Sequence, residues 1–197
     1  MPSRRKALTV GLTYDLKDEY NFNSDDPPDA NAEFDHRDTI ESIKDCIKSG
    51  GYRVVKIGNV NNLIERLNSL KVDIVFNLAE GRSGRNRESE VPVILEMAGI
   101  PFVGSDGLTL SLTLDKFITK KLLASENIPT APYFQIQNAF NLNGIKPEFP
   151  LIVKPRSEGS SKGINDKYVV NDLKALKRQA NWVIKTYKQP ALVERFI

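Results

Sequence analysis

The sequence predicts an α/β protein in two parts: a parallel β-sheet alternating with helices, then an α+β segment of antiparallel strands with helices on one face. Three observations carry this. Short apolar runs alternate with helical patterns through the first hundred residues, with short joints, which is the signature of βαβ units. After Gly104 the texture changes to one long helical pattern followed by strands around a glycine-rich loop. No internal repeat or low-complexity segment interrupts either part. The expected division is residues 1–105 and 106–197.

Taken in order, Ala7 to Leu12 reads as a first strand. Residues 15–35, DLKDEYNFNSDDPPDANAEFD, are acidic and rich in Pro and Asn with weak periodicity, so they read as a long loop. Asp38 or Thr39 can cap a helix to Ser49, with Ile40, Ile43 and Ile47 on one face and Gly50-Gly51 at its end. Arg53 to Ile57 is a second strand, Asn61 or Asn62 caps a second helix to about Leu70, and Val72 to Leu78 is a nearly all-apolar third strand. A polar loop from Ala79 to Arg87, a helix from Glu88 to Ala98 and a short strand Pro101 to Val103 complete the first part. In the second part, Thr109 to Glu126 reads as one helix, and an irregular stretch with Asn138, Asn141, Asn143 and Gly144 starts at Ile136. Phe149 to Lys154 and Tyr168 to Val170 are strands, Asp172 opens a helix to Tyr187, and Ala191 to Ile197 is a last strand.

The chain has 197 residues, 40% of them hydrophobic and 27% charged, with a net charge of +3. These are ordinary values for a globular protein long enough to bury a core. So small a charge does not call for nucleic acid, and the aromatics Tyr133, Phe134, Tyr168 and Trp182 form no stripe interleaved with arginines. One cysteine, Cys46, excludes an internal disulfide and, with a single histidine, His36, argues against zinc. Cys46 is expected in a buried or half-buried structural position. The apolar stretch in MPSRRKALTVGL is too short for a signal peptide, and no run approaches the ~20 residues of a membrane span, so a cytoplasmic protein is expected.

Three segments carry chemistry. In VKPRSEGSSKGI (153–164), a strand delivers Lys154 into a loop of Gly159, Ser160, Ser161, Lys162 and Gly163. The lysine offers an anion a point charge; the loop offers converging backbone N–H groups and hydroxyls. The loop is neither GxxxxGK[ST] nor GxGxxG, and the first strand carries no glycine fingerprint, so a dinucleotide-binding site is not supported. A flexible surface hairpin is the plain alternative. The second segment, GSDGLTLSLTLDKFITKKLLASENIPTAPY (104–133), holds Lys116, Lys120 and Lys121, which on composition alone read as a solvated helix face. The third, ALVERFI, sets Glu194 and Arg195 in an apolar strand, where a paired edge charge is the plain alternative.

Together these segments resemble the D-alanine–D-alanine ligase family of the ATP-grasp superfamily. The matching residues are Gly104-Ser105, Asp115-Lys116, Ile128-Pro129-Thr130, Pro150 with Val153-Lys154-Pro155, Gly159-Ser160-Ser161 with Gly163, and Val193-Glu194. The resemblance covers residues 72–197, and the first 70 only by architecture. It implies a Rossmann-like, pre-ATP-grasp domain (1–105), then the smaller α+β ATP-grasp subdomain (106–197), with the C-terminal half of that fold absent. It also implies roles. Lys116 and Lys154 hold ATP phosphates. Gly159, Ser160, Ser161 and Gly163 belong to a mobile loop folding over them, with Ser160 as its catalytic donor. Glu194, Arg195 and Ile197 lie on the strand that holds adenine. The implied reaction activates one amino acid as an acyl phosphate and joins it to the amine of a second, with Mg2+ bridging the phosphates and its ligands expected beyond Ile197. The resemblance allows a homodimer and small-molecule partners, amino acids and ATP, and residues 1–197 alone are expected to lack turnover.

Two departures bear on the substrate. The family's Gly-Gly turn with a Ser and a Glu is replaced by GLTYDLKDEYNF, where Glu19 or Asp18 could grip the first amino group. The family's His-Gly pair is replaced by Glu80-Gly81. A ligase for another amino acid or peptide, or a nucleotide-binding module without catalysis, therefore stays open.

Overall fold

The computed structural model describes residues 7–139, 142, 146–164 and 167–197. Asn141, Asn143 and Gly144 of the expected irregular stretch lie outside them. The chain divides into two compact units: residues 7–21 with Glu33–Ser111, and Phe22–Ala32 with Leu112–Ile197.

The first unit is built on four parallel strands: β1 (Thr9–Thr13), β2 (Arg53–Gly58), β3 (Ile74–Asn77) and β4 (Phe102–Val103), in spatial order β2-β1-β3-β4. Val10 pairs with Val54 on one side and Ile74 on the other. Both faces are covered, as a parallel sheet requires. On one face α1 (Arg37–Ser49) buries Ile40 with Leu12 and Leu16. On the other, α2 (Val60–Arg66) and α3 (Glu90–Met97) bury Leu63, Val91 and Leu95 against Ile57 and Val75. The start of α1 differs from expectation: it begins at Arg37, behind His36, with no side-chain cap. The cap of α2 is Asn59, whose side chain accepts from the N–H groups of Asn61 and Asn62, while Asn62 reaches back to the Asn59 N–H. Cys46 is exposed rather than buried, because it falls off the isoleucine stripe of α1.

The expected helix over 109–126 is two helices, α4 (Gly107–Leu114) and α5 (Lys116–Ser125). They part at Asp115, whose carboxylate caps α5 by accepting from the Ile118 N–H at 3.1 Å.

The second unit holds an antiparallel sheet in order β5-β8-β6-β7: β5 (Tyr133–Ile136), β6 (Leu151–Pro155), β7 (Val169–Val170) and β8 (Ala191–Arg195). β5 starts before Ile136, where the residues alone suggested irregular chain. Its alternation sorts the faces. Leu151, Val153, Ala191, Val193 and Ile136 lie against α6 (Leu173–Tyr187), which contributes Leu176, Ala180, Val183 and Tyr187 to one core. Ile152, Lys154, Leu192, Glu194, Tyr133 and Gln135 therefore share the opposite face. Asp172 caps α6, as the sequence suggests. Among the described residues, no helix is long and apolar enough to cross a membrane.

Candidate functional site

The face of the antiparallel sheet that turns away from α6 carries most of the residues singled out in the sequence. Lys154 leaves β6 on this face and donates to Glu194 Oε2 at 3.0 Å. The other carboxylate oxygen of Glu194 is buried, accepts no hydrogen bond among the described residues, and lies 3.6 Å from Lys120 Nζ. Lys120 itself donates to Thr130 Oγ1 at 2.6 Å and to the Ala131 carbonyl at 3.2 Å, with the Tyr133 ring 5.2 Å away. One buried carboxylate thus stands between two lysines.

Asp115-Lys116 is fixed to the end of β6 by side chain and backbone. The Arg156 guanidinium donates to both Asp115 oxygens at 2.7 Å, a bidentate pair with Asp115 only 2% exposed. The Lys116 N–H donates to the Arg156 carbonyl at 3.1 Å, and Lys116 Nζ donates to the Glu158 carbonyl. Lys116 and Lys154 accordingly flank the start of the glycine loop.

The loop has two limbs of different character. Its tip, Ser160 and Ser161, is exposed and takes left-handed backbone angles (φ 43° and 61°) that non-glycine residues rarely adopt. Its return limb, Lys162 and Gly163, is buried. Lys162 pairs with Glu158 at 2.6 Å, and Glu158 also accepts from Gln189 at 2.8 Å. Gly163 must be glycine: φ is +74°, and a side chain would overlap the Pro155 ring. Gly159 sits between the limbs, its carbonyl accepting from the Lys162 N–H. Of the remaining expected residues, Arg195 is exposed and pairs with Glu148, while Ile197 is 95% exposed.

A second cleft lies in the first unit, at the C-terminal ends of β3 and β4, where parallel sheets place their sites. It encloses about 380 Å³ and is lined in part by Glu33, Asn77, Glu80, Glu88 and Ser105. The turn after β3 is pinned by Asp15, whose Oδ2 accepts the N–H groups of Glu80 and Gly81, each at 3.0 Å. Carboxylate oxygens of Glu33, Glu80 and Glu88 lie within 4.8 Å of one another. Arg87 grips Glu33 with contacts of 2.9 and 3.0 Å. Burial first, then the neighbouring Glu88 and Glu33 charges, push the Glu80 carboxyl up to about 7. Glu19 is not among the residues lining this cleft; it is exposed on a 3-10 turn beside Asp18, and both pair with Arg37.

Sequence reasoning missed Lys120, which composition assigned to a solvated face and which is buried. It also missed Glu33 and Glu88, which sit beside Glu80 only after folding.

No protein-family model matches the chain. An uncharacterised protein, y4sG, from Sinorhizobium fredii is 40% identical over 124 residues, 63% of this chain and 36% of that protein. The D-alanine–D-alanine ligase of Syntrophotalea carbinolica is 33% identical over 159 residues, 81% of this chain and 50% of the enzyme. The chain thus spans half or less of the length of these relatives. In fold, a crystal structure of D-alanine–D-alanine ligase from Bacillus anthracis complexed with ATP matches 97% of this chain and 59% of its own, with a TM-score of 0.69 at 23% identity. The likeness in sequence identifies the chain as a relative of the D-alanine–D-alanine ligase family, within the ATP-grasp superfamily, and the structural likeness shows that it shares the fold.

Proposed function

We propose that this chain carries the nucleotide-binding part of an ATP-dependent carboxylate–amine ligase of the D-alanine–D-alanine ligase type. The observation that carries the reading is the cation-lined start of the glycine loop: Lys154 on β6 and Lys116 on α5 flank a turn whose exposed tip is Ser160-Ser161. Phosphoryl transfer needs charge neutralisation and positioning more than covalent help, and this arrangement supplies both. Lys116 and Lys154 neutralise the phosphates, and Ser160 and Ser161 donate to them from the tip, Ser160 as the catalytic donor. The face bearing Glu194 receives adenine. The buried Glu194 oxygen, which accepts no hydrogen bond among the described residues, suits an exocyclic amine, and Arg195 and Ile197 follow it along the chain. In the reaction, a substrate carboxylate attacks the γ-phosphate, ADP leaves, and an amine displaces phosphate from the acyl phosphate to give the amide. A closed loop would keep water from that acyl phosphate. Magnesium, when bound, would offset the phosphate charge; no residue described above is assigned to it, because Arg87 already neutralises one member of the carboxylate cluster.

The cleft around Glu80 favours a second reading of the substrate: an amino acid other than D-alanine. Glu80 in place of a histidine, with the Glu33 and Glu88 carboxylates beside it, suits an ammonium group and disfavours a second anionic group nearby. A panel of D- and L-amino acids with phosphate release as the readout selects the substrate. The nucleotide reading is tested by titrating residues 1–197 with a non-hydrolysable ATP analogue. Lys154→Ala is expected to weaken binding at least tenfold, about 1.4 kcal/mol. Unchanged affinity in a folded Lys154→Ala protein would remove Lys154 from the phosphate site.

A further inference from the structure

The acidic segment Phe22–Ala32 belongs to the second unit, although the first unit surrounds it in sequence. It is held in shape by its own turns: the Ala30 N–H donates to the Pro27 carbonyl at 3.0 Å, the Ala32 N–H to the Asp29 carbonyl at 3.0 Å, and the Asn23 N–H to Asp26 at 2.8 Å. Pro27 and Pro28 restrict it further. Asp29 projects from it onto the glycine loop. Its Oδ2 accepts the Gly163 N–H at 2.8 Å, and both of its oxygens accept the Tyr187 hydroxyl, at 2.7 and 2.8 Å.

Backbone accounting shows what this contact does. The Lys162 N–H donates to the Gly159 carbonyl and the Ile164 N–H to the Ser161 carbonyl. With Gly163 committed to Asp29, the amides of Lys162, Gly163 and Ile164 are all engaged inside the protein. That limb is buried against Pro155 and Tyr187, and Tyr187 is anchored in the α6 core. Burial, then Asp29, holds the Tyr187 hydroxyl well above the ordinary tyrosine range, so it remains a donor at any physiological pH. The Ser160-Ser161 tip stays exposed to a ligand.

We propose that Asp29 is a positioning residue for the glycine loop. Its carboxylate ties the return limb down through the Gly163 N–H and the Tyr187 hydroxyl, so that the serine tip meets the nucleotide phosphates from a fixed stem. This rests on the nucleotide reading above. A loop ordered in advance loses less entropy on binding, so the tether strengthens binding without touching the ligand.

The test has two readouts on the full chain. The first is hydrogen exchange without ligand. Asp29→Ala frees the Gly163 amide, which is expected to exchange about tenfold faster while β6 and β8 amides are unchanged. The second is affinity for the ATP analogue, expected to fall about tenfold in Asp29→Ala and less than about threefold in Asp29→Asn, which keeps an acceptor. Asp25→Ala, which loses the exposed pair with Lys188 and a long hydrogen bond from the Ser24 hydroxyl, should match the wild type in both. If Asp29→Ala does not fold, Tyr187→Phe removes one of the two donors with little change in volume and should move both readouts in the same direction. Wild-type exchange at Gly163 in Asp29→Ala overturns the tether. Faster exchange with unchanged affinity overturns the positioning role. A wild-type chain that binds no nucleotide fails earlier and overturns the nucleotide reading, and the proposal with it.

Discussion

Lys120 and Lys121 are neighbours in α5 with opposite surroundings. Lys120 is buried, donating to Thr130 and Ala131 and lying beside Glu194, whereas Lys121 is exposed above the Phe117 ring. Removing one member of a buried charge cluster leaves the other uncompensated, at a cost of about 3–5 kcal/mol. Lys120→Ala should therefore lower the urea midpoint strongly, and Lys121→Ala should leave it nearly unchanged. Equal small shifts would mean that Glu194 finds enough compensation from Lys154 alone. The contrast explains why a lysine count along a helix says so little. What makes Lys120 special is Glu194, seventy-four residues later in the chain, and nothing in the local pattern marks it.

At the scale of elements, the strand and helix order was legible because each element signals itself locally. The isoleucine stripe of α1, the apolar run of β3 and the Asp172 cap of α6 need no partner to be read. The break between α4 and α5 was not legible, since LSLTLDKFITK keeps a helical pattern straight through it. The break depends on Asp115, whose carboxylate caps α5 and grips Arg156, forty-one residues away. The tip and stem of the glycine loop likewise divide through contacts, such as those from Asp29 and Tyr187, that the local sequence does not mark. The motif itself was legible because its glycines, serines and lysines are contiguous. Asp115→Ala removes a helix cap, worth about 1 kcal/mol, and leaves the Arg156 guanidinium without its bidentate partner. We expect a loss of about 3–5 kcal/mol by denaturant unfolding. A double-mutant cycle with Arg156→Ala should return a coupling of at least about 1 kcal/mol, and a coupling near zero would show that the pair adds nothing beyond the cap.

At the scale of the whole molecule, two separate cores carry two separate groups of charged residues: a cation-lined loop in the second unit and a carboxylate cleft in the first. The cleft makes stability depend on pH in a direction opposite to the usual carboxylate. Glu80 is held near 7 in the folded protein and returns to its ordinary value of 4.5 on unfolding. Between those values the folded state keeps a proton that the unfolded chain has released. Stability from this group is therefore complete below about pH 4.5 and declines as pH rises through about 7. Asp15 and Glu90, also raised by burial, act in the same direction. Glu41, lowered to about 2 by Lys44 and Lys56, acts only in more acid solution. Unfolding midpoints between pH 5 and 8 should fall for the wild type and fall less steeply for Glu80→Gln, so the variant gains most at pH 8. Parallel curves would mean that neither burial nor the neighbouring carboxylates raise the Glu80 carboxyl in the folded state. In that case Glu80 is charged at neutral pH, and the proposed preference for an ammonium-bearing substrate would rest on full rather than partial charge.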